Sequence, residues 1–399
     1  MKHRFALTII SVFLSLLGSK SAGANLDETA LAILKGSLEY QSDKYSLETL
    51  SKSLQSENNL PDPEISGEYL FAPGEEPDRW GAEISWGLEW PGVYGARNKE
   101  AASKMTAAQK ALYLKRVDKL VEIKKLLLDY IFCQQRISLL EELNQNNDSI
   151  FKLAEKSARD GEMTTLDLNK IRLEYANIKA AKAILIEESA TIENDISAIY
   201  GGDCSAMLKA MDCKFPEISI PSPSQLEGLG SRSAYSASMQ AEVESARQSK
   251  EVMKMERLPS LSIGYKHAYE DRVHFNGPTL GVSIPLFSSR GKQKAAEAAI
   301  AEAEFKVEAA EKSVESEAGQ QLKKLILIKG QLDDIEPILK NADHNATLLK
   351  AYKGGVITVV EYLVERNYFT NASSELLTLR HAAAVTQTEL MKYLTEIDF

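Results

Sequence analysis

The chain has 399 residues and a formal net charge of −10 at pH 7, and 44% of its residues are hydrophobic. This excess of negative charge disfavours nucleic acid as a partner, because acidic side chains and phosphates repel each other. Length alone would allow two or three domains.

Residues 1–24 have the three parts of a secretory signal peptide. Lys2, His3 and Arg4 form a basic start, an apolar run extends from Phe5 to Leu17, and small residues complete the segment. The run is too short to span a membrane as a retained helix. We therefore predict an exported protein that is cleaved before Asn25. No later segment has the length and apolarity of a membrane helix, so any membrane crossing would have to use β-strands.

The hydrophobic spacing of the mature chain changes from helical to alternating after its first helices. Residues 26–57 are weakly amphipathic and helical, and they end before Leu60-Pro61, which cannot continue a helix. Apolar and polar residues then alternate, which predicts strands at 62–71 and 80–90.

The second predicted strand carries all three tryptophans, Trp80, Trp86 and Trp90, on one face and the acidic Glu83 and Glu89 on the other. A soluble sheet would bury the aromatic face in its own core, whereas a membrane sheet would turn it to lipid and its acidic face to a lumen. The residues alone fit both alternatives. Under the second, the candidate lipid-facing aromatics are Tyr69, Trp80, Trp86, Trp90 and Tyr265.

Two long helices follow the strands and predict a helical hairpin. The first extends from about Arg97 to Ser157 and breaks at Arg159-Asp160-Gly161. The return helix has an apolar residue every seven positions, as in the seam of a coiled coil. These residues are Ile171, Ile178, Leu185, Ile192 and Ile199. A connector, residues 201–222, closes this half.

The second half repeats the order of the first. Leu258-Pro259 matches Leu60-Pro61 at a spacing of 198 residues, and strands are predicted at 260–269 and 279–287 around a loop, Glu270–Gly277. The two copies, about 26–200 and 223–397, predict a duplicated unit of helix, strand, strand and long helical hairpin.

The long hairpin of the second half begins with a rod from Gly291 to Ala351, on the order of 90 Å long at the rise of an α-helix. Pro337 removes a backbone donor within it, which predicts a kink. Two heptad series mark its seam. They are Ala318, Leu325, Leu332, Leu339 and Ala346, and Gln321, Ile328, Ile335, Ala342 and Leu349.

Three cysteines are present. Cys133 lies in a segment with helical hydrophobic spacing and is predicted to be a core residue. Cys204 and Cys213 lie close together in the connector, and in an exported protein they could form a disulfide or remain two thiols. The histidines show no ligand spacing with cysteines or carboxylates, so we expect no structural metal.

This order of elements resembles the TolC-like outer-membrane channel family over essentially the whole mature chain. The resemblance rests on the Leu-Pro pairs before both strand pairs, on Ile284-Pro285-Leu286-Phe287 with Gly291, and on two matching turns. Gly161–Asp167 aligns with Gly355–Glu361 at a spacing of 194 residues, and Arg172 aligns with Arg366. The resemblance implies an α+β membrane protein. Three chains would close a twelve-stranded outer-membrane β-barrel, which their helices would continue as a periplasmic α-helical coiled-coil barrel.

The resemblance also implies a function and partners. The chain would be the outer-membrane exit duct of a tripartite efflux or type I secretion system in a Gram-negative bacterium, fed by a periplasmic adaptor (a membrane fusion protein) and an inner-membrane pump of RND, ABC or MFS type. We expect no enzyme activity and no cofactor, since no nucleophile or phosphate-binding pattern is present. The alternative is a secreted or periplasmic coiled-coil scaffold or adhesin without a transmembrane barrel. Such a scaffold would explain the heptad repeats, but it would not explain the duplicated strand pairs.

The two matching turns are the predicted adaptor-docking tips, since they lie farthest from the strands along the rods. Their glycines would allow a positive φ or close backbone approach. In this chain Ile357 stands where some family members have a basic residue, so a closing salt bridge of that type is not expected. The predicted tip residues are Gly161, Glu162, Met163, Thr164 and Thr165, and Gly354, Gly355, Val356, Ile357 and Thr358.

Asp167 and Glu361 are candidate periplasmic gate residues. Each lies six residues past a turn glycine, so a three-fold trimer would place six carboxylates at nearly one height. Turned inward they would repel one another and attract cations; turned outward they would be ordinary solvated carboxylates.

Overall fold

The computed structural model describes residues 25–399 except 75, 162, 286, 288–290 and 341–343, and it describes only the backbone of 144–150, 153 and 344–346. The predicted signal peptide, Glu162 of the first turn and Leu286 of the last predicted strand lie outside the described residues.

The first half contains two short helices, two strands and two long helices. Ser37 separates the short helices: its backbone is extended and its hydroxyl accepts a hydrogen bond from the Tyr40 N–H, which caps the second helix. The elements are α1 (Leu26–Gly36), α2 (Leu38–Ser56), β1 (Glu64–Leu70), β2 (Arg79–Leu88), α3 (Pro91–Arg159) and α4 (Thr165–Tyr200).

The connector contains three short helices, and the second half then has one helix, two strands and three further helices. The connector helices are α5 (Ser205–Ala210), α6 (Pro223–Leu226) and α7 (Leu229–Arg232). The remaining elements are α8 (Ala234–Met255), β3 (Ser260–Glu270), β4 (Val273–Ser283), α9 (Lys292–Lys340), α10 (His344–Lys353) and α11 (Val359–Met391).

The four strands form one antiparallel sheet in the order β1-β2-β3-β4. One row of directly paired residues across the four strands consists of Ile65, Ile84, Tyr265 and Pro278. These four apolar residues therefore lie on the same face of the sheet. β1 and β4 are the edge strands of this sheet.

Several strand ends differ from the prediction, most of all in β4, which spans Val273–Ser283 and not 279–287. β4 begins at Val273 because Asp271 and Arg272, with φ of 51° and 63°, form a tight two-residue hairpin turn in place of the predicted loop Glu270–Gly277. β2 ends at Leu88, so Trp90 is not a strand residue. It is the residue before α3, and Pro91 occupies the first helical position, where its missing N–H costs nothing.

The sheet is attached to the helices by an ionic cluster at the end of β2. Nη2 of Arg97 on α3 donates to Glu89 and to Glu256, each at 3.0 Å. Glu256 directly follows α8, so the cluster joins β2, α3 and α8. Charge-assisted hydrogen bonds of this kind are roughly twice as strong as neutral ones.

The helices form long packed pairs. α3 has 69 residues, which is about 100 Å at 1.5 Å per residue. It packs against α8, α4 and α11, and α9 packs against α8 and α11. Leu325 of the predicted heptad seam is fully buried and lies in one cluster with Ala383 and Leu390 of α11. The buried members of the two series on the rod are Ala318, Leu325, Ile328 and Leu332, and those of the series on α4 are Ile171, Ile178 and Leu185.

The largest apolar cluster lies where the connector crosses the helices. Cys204, Leu208 and Met211 of the connector pack against α1, the middle of α3 and the end of α4. Burial of these apolar side chains holds the connector against helices of both halves of the chain.

Candidate functional site

One face of the sheet is apolar and exposed along all four strands. Ile65 is 79% exposed and Leu280 is 82% exposed, although they lie on opposite edges. A folded soluble protein rarely leaves so continuous an apolar face open to water. The exposed large apolar residues of this face are Ile65, Tyr69, Trp80, Ile84, Trp86, Leu261, Ile263, Tyr265, Leu280 and Val282.

Four of the five predicted lipid-facing aromatics share that face. The register places Tyr69 beside Trp80, with Trp86 and Tyr265 on the same side. Trp86 also donates its indole N–H to the carbonyl of Pro61, at 2.6 Å, so its polar atom is satisfied near the start of β1. Trp90 is exposed but lies off the sheet.

The opposite face of the sheet is polar and carries cross-strand pairs. Lys266 on β3 reaches across β2 to Glu68, at 2.8 Å, and Thr279 on β4 donates to Glu83, at 2.6 Å. Gly81 and Gly264 stand between the partners, and a Cβ at either would crowd them. The two faces therefore differ in chemistry over most of the sheet, with apolar side chains on one and ion pairs and hydroxyls on the other. The end at the β3–β4 turn is mixed, since the apolar face there carries His267, His274 and Asn276 and the polar face carries Val273 and Phe275.

The two predicted tips lie together at the other end of the long helices. Met163 and Ile357, which occupy matching positions of the two turns, both pack into one apolar cluster. That cluster contains residues from the end of α3, the start of α4, α10 and the start of α11, among them Ala154, Ile171, Tyr352 and Tyr362. The structure thus brings the two turns into one body.

The tip glycines have the predicted backbone conformation. The φ of Gly161 is 77° and that of Gly355 is 68°, in the left-handed region that favours glycine. Apart from the two chain neighbours of each glycine, no atom of the described residues lies within 4 Å of a Cβ placed on either. Among the other described tip residues, Thr164, Thr165, Gly354, Val356 and Thr358 are exposed.

Asp167 and Glu361, the candidate gate residues, take part in helix caps. Thr164 and Thr358 are the N-cap residues of α4 and α11, and each hydroxyl accepts from the backbone N–H of its acidic partner. The Glu361 carboxylate accepts from the Thr358 N–H at 2.8 Å, which completes a capping box. The sequence contains this signal, since Thr358 and Glu361 are three residues apart ahead of an apolar helix, so the capping box was predictable.

The caps keep both carboxyls charged. The backbone N–H and then the hydroxyl of Thr358 lower the pKa of Glu361, and the hydroxyl of Thr164, followed by Lys170, lowers the pKa of Asp167. Lys170 lies 3.2 Å from Asp167. The two carboxylates are therefore anions at neutral pH and stabilise the first turns of their helices.

Arg366 is buried where the two hairpins meet, and this was not predicted. It is 2% exposed, its Nη2 lies 3.8 Å from Glu174 of α4, and its guanidinium lies over the ring of Tyr362. Burial lowers the pKa of this guanidinium. Its sequence counterpart Arg172 is exposed beside Glu155, at 3.5 Å. The matching sequence positions gave no sign of this difference.

Cys133, Cys204 and Cys213 are free cysteines in the structure. Cys204 is buried and its sulfur lies 3.1 Å from the Ser197 hydroxyl. Burial raises the pKa of the Cys204 and Cys213 thiols, which keeps them protonated and weakly reactive.

No group of three or more His, Cys, Asp or Glu side chains within the described residues is arranged to hold a metal ion. None of the helices in the described part of the chain combines the length and apolarity needed to cross a membrane.

The chain matches no family model and no curated protein. It does match solved structures. A membrane protein from Pseudomonas aeruginosa is 13% identical, with a TM-score of 0.74 over 92% of this chain and 90% of that chain. The CmeC outer membrane channel of Campylobacter jejuni is 14% identical, with a TM-score of 0.73 over 92% of this chain and 85% of that chain.

The MtrE outer membrane channel of Neisseria gonorrhoeae, solved in its open state, is 13% identical, with a TM-score of 0.73 over 92% of this chain and 88% of that chain. Similarity at this level of identity establishes the fold. The chain therefore has the fold of these outer membrane channels along nearly its whole length, and the resemblance drawn from its sequence is confirmed at that level.

Proposed function

We propose that this chain is an outer-membrane exit duct that works as a homotrimer. In this proposal three four-stranded sheets close one twelve-stranded barrel, and the long helices continue it into the periplasm. The duct conducts substrates passively from an inner-membrane pump and a periplasmic adaptor. The main observation that supports this proposal is the exposed apolar face of the sheet.

Two physical arguments support assembly in lipid. The exposed apolar face needs a cover, and lipid tails cover it without a partner protein. The edges β1 and β4 would leave backbone groups unsatisfied in lipid, and pairing between copies satisfies them. The polar face, with Glu68, Lys266 and Glu83, would then line a wet lumen.

Exposed apolar residues on the long helices support contacts between copies. Leu166 and Leu173 are seven residues apart on α4, and both are more than 60% exposed. Such a stripe at heptad spacing fits a coiled-coil partner outside the chain. Further exposed residues of this kind are Phe305, Leu327 and Ile338 of α9 and Val364 and Tyr368 of α11.

Cell fractionation tests the proposal against the scaffold alternative. The proposal expects heat-resistant trimers in the outer-membrane fraction, whereas a scaffold or adhesin without a barrel would be recovered as a soluble rod. Tryptophan fluorescence then tests the orientation of the sheet. In a single-tryptophan variant that retains Trp86, brominated lipid should quench the emission and aqueous iodide should not. Quenching by iodide alone would contradict the barrel.

We propose that the paired turns dock the adaptor. Gly161 and Gly355 lie among exposed residues at the end of the rods, with open space around them. Replacing both by tryptophan should abolish export while trimers still reach the outer membrane. The readout is the accumulation of a panel of fluorescent export substrates in cells that lack the native copy.

Gly74 provides the matched control for this test. Its φ is 82° and no atom lies within 4 Å of its Cβ position, but it lies in the loop between β1 and β2. Gly74→Trp imposes the same backbone strain at the other end of the molecule and should leave export unchanged. Normal export by the tip double variant would exclude the turns as docking sites.

A further inference from the structure

Two histidines meet at the turn of the β3–β4 hairpin. The register pairs His267 with Asn276 and Tyr269 with His274, so the histidines are diagonal neighbours on one face of the sheet. The two-residue turn at Asp271 and Arg272 follows directly and fixes this register. The backbone therefore holds the two imidazoles beside each other.

The nitrogen atoms of the pair face each other. His274 Nδ1 lies 3.3 Å from His267 Nε2. On the other side of its ring, His267 Nδ1 lies 2.5 Å from Asn276 Oδ1. A carbonyl oxygen only accepts, so this contact places the proton of neutral His267 on Nδ1 and leaves a lone pair on Nε2. That lone pair points towards His274.

This spacing fits two ligands of one metal ion. Imidazole nitrogens bind Zn²⁺ at about 2.0–2.1 Å, so two of them in a tetrahedral arrangement lie about 3.3–3.4 Å apart. Asn276 holds His267 as an outer-shell partner holds a metal-ligating histidine. The ring of Tyr269 lies 4.9 Å from that of His274, centroid to centroid, and restricts its movement.

We propose that His267 and His274 form a two-imidazole site for a borderline divalent transition metal ion, such as Zn²⁺ or Cu²⁺. Both histidines lie on the Trp80 face, next to the hairpin turn where that face ends, and His274 is exposed, so water from beyond the turn can fill the remaining coordination positions. Neutral nitrogen ligands without carboxylates favour these ions over Mg²⁺ and Ca²⁺. The proposal does not depend on the export function, since the hairpin alone supplies both ligands.

Trp80 provides the probe, since its ring lies 5.1 Å from His267 and 6.4 Å from His274. Titration of the purified full chain with Cu²⁺ should quench its fluorescence with one ion per chain, and added Zn²⁺ should restore the emission by competition. The Trp80→Phe variant should bind Cu²⁺ with unchanged affinity in calorimetry but lose most of the quenching.

Matched variants assign the ligands. His267→Gln and His274→Gln should each weaken binding at least tenfold, and Asn276→Ala should weaken it about 10–100-fold, as loss of an outer-shell partner does. Asn276→Asp keeps the acceptor and should retain binding. His381→Gln removes a histidine on α11, which pairs with Asp129, and should change nothing.

Two results would overturn the proposal. Parent-like affinity in the His267→Gln, His274→Gln double variant would place the metal elsewhere. If the parent chain binds neither Cu²⁺ nor Zn²⁺ at millimolar concentration, His267 and His274 are only hydrogen-bonded to each other and form no metal site. Circular dichroism of each variant, compared with the parent, shows that the sheet is intact when binding is scored.

Discussion

Gly355 and Gly319 both have open space where a Cβ would lie, but only Gly355 has a positive φ, of 68°. Gly355→Ala should therefore lower the free energy of unfolding by about 1 kcal/mol, because alanine is strained in that conformation. Gly319→Ala lies inside α9 and should raise it by about 0.5–1 kcal/mol through helix propensity. Denaturant unfolding of the purified chain in detergent measures both. Equal effects of the two changes would contradict a left-handed turn at Gly355.

A pH dependence follows from the cap of α11. Hydrogen bonds from Thr358 lower the pKa of Glu361, so its stabilising effect is complete above the unfolded pKa, about 4.3. The effect is lost as pH falls through the lower folded pKa. Amide hydrogen exchange in the first turn of α11 should accelerate there, relative to the intrinsic rate.

The variant Glu361→Gln is the control for this prediction, because glutamine accepts the same hydrogen bonds but does not titrate. Its first turn should show no such pH dependence. Thr358→Ala removes the cap at every pH and should cost about 1 kcal/mol. A parent chain whose protection at this turn is the same at pH 6 and pH 3 would contradict the capping role.

At the scale of one element, the sheet depends on glycines of its polar face. A Cβ at Gly264 would lie 2.5 Å from the Thr279 hydroxyl and 2.8 Å from the Ile84 carbonyl, whereas Gly87 on the same face has nothing within 4 Å. Gly264→Ala should therefore weaken the sheet by about 1–3 kcal/mol through overpacking. Gly87→Ala should be nearly neutral. Thermal unfolding of the purified chain in detergent, followed by circular dichroism, reports both changes.

Elements with long, regular periods were predictable from the sequence. The heptads of α9 and α4 identified seven buried seam residues, whereas Ile192, Ile199 and Ile335 of the same series are half-buried. A heptad repeat is informative because the same contact with the neighbouring helix recurs every two turns. The start of β4 was not predictable in the same way, because Asp271-Arg272 forms a tight turn without the usual glycine. Trp90 continued the strand alternation in sequence, but Pro91 begins the helix there.

Single side chains in tertiary contacts could be predicted least. Arg172 and Arg366 match in the sequence, and only the packing of α11 against the first hairpin buries Arg366. Asp167 and Glu361 were interpreted through their charge, whereas the structure gives both a local role in helix caps. The sequence contains the capping pattern, but it contains no local signal for the burial of Arg366 between the two hairpins.

At the scale of the whole molecule, the two candidate surfaces lie at opposite ends of the long helices. The sheet adjoins the start of α3, and the paired turns follow its end, about 100 Å away at the rise of an α-helix. An exposed apolar face at one end and exposed turns at the other suit a protein that joins a membrane to a partner at a distance. Function at the turn end can therefore be tested without disturbing the sheet.

We propose that Asp167 and Glu361 also set the charge of the periplasmic opening in the trimer. Their lowered pKa values keep them anionic, so six carboxylates near one height would attract cations and let multivalent ones block the pore. Single-channel recording should show weaker cation block in Asp167→Asn, Glu361→Gln than in the parent. The Thr164→Ala, Thr358→Ala variant is the control, because it disturbs the same caps but retains the charge, and it should keep the block. Unchanged block in the charge variant would leave both carboxylates with their capping role alone.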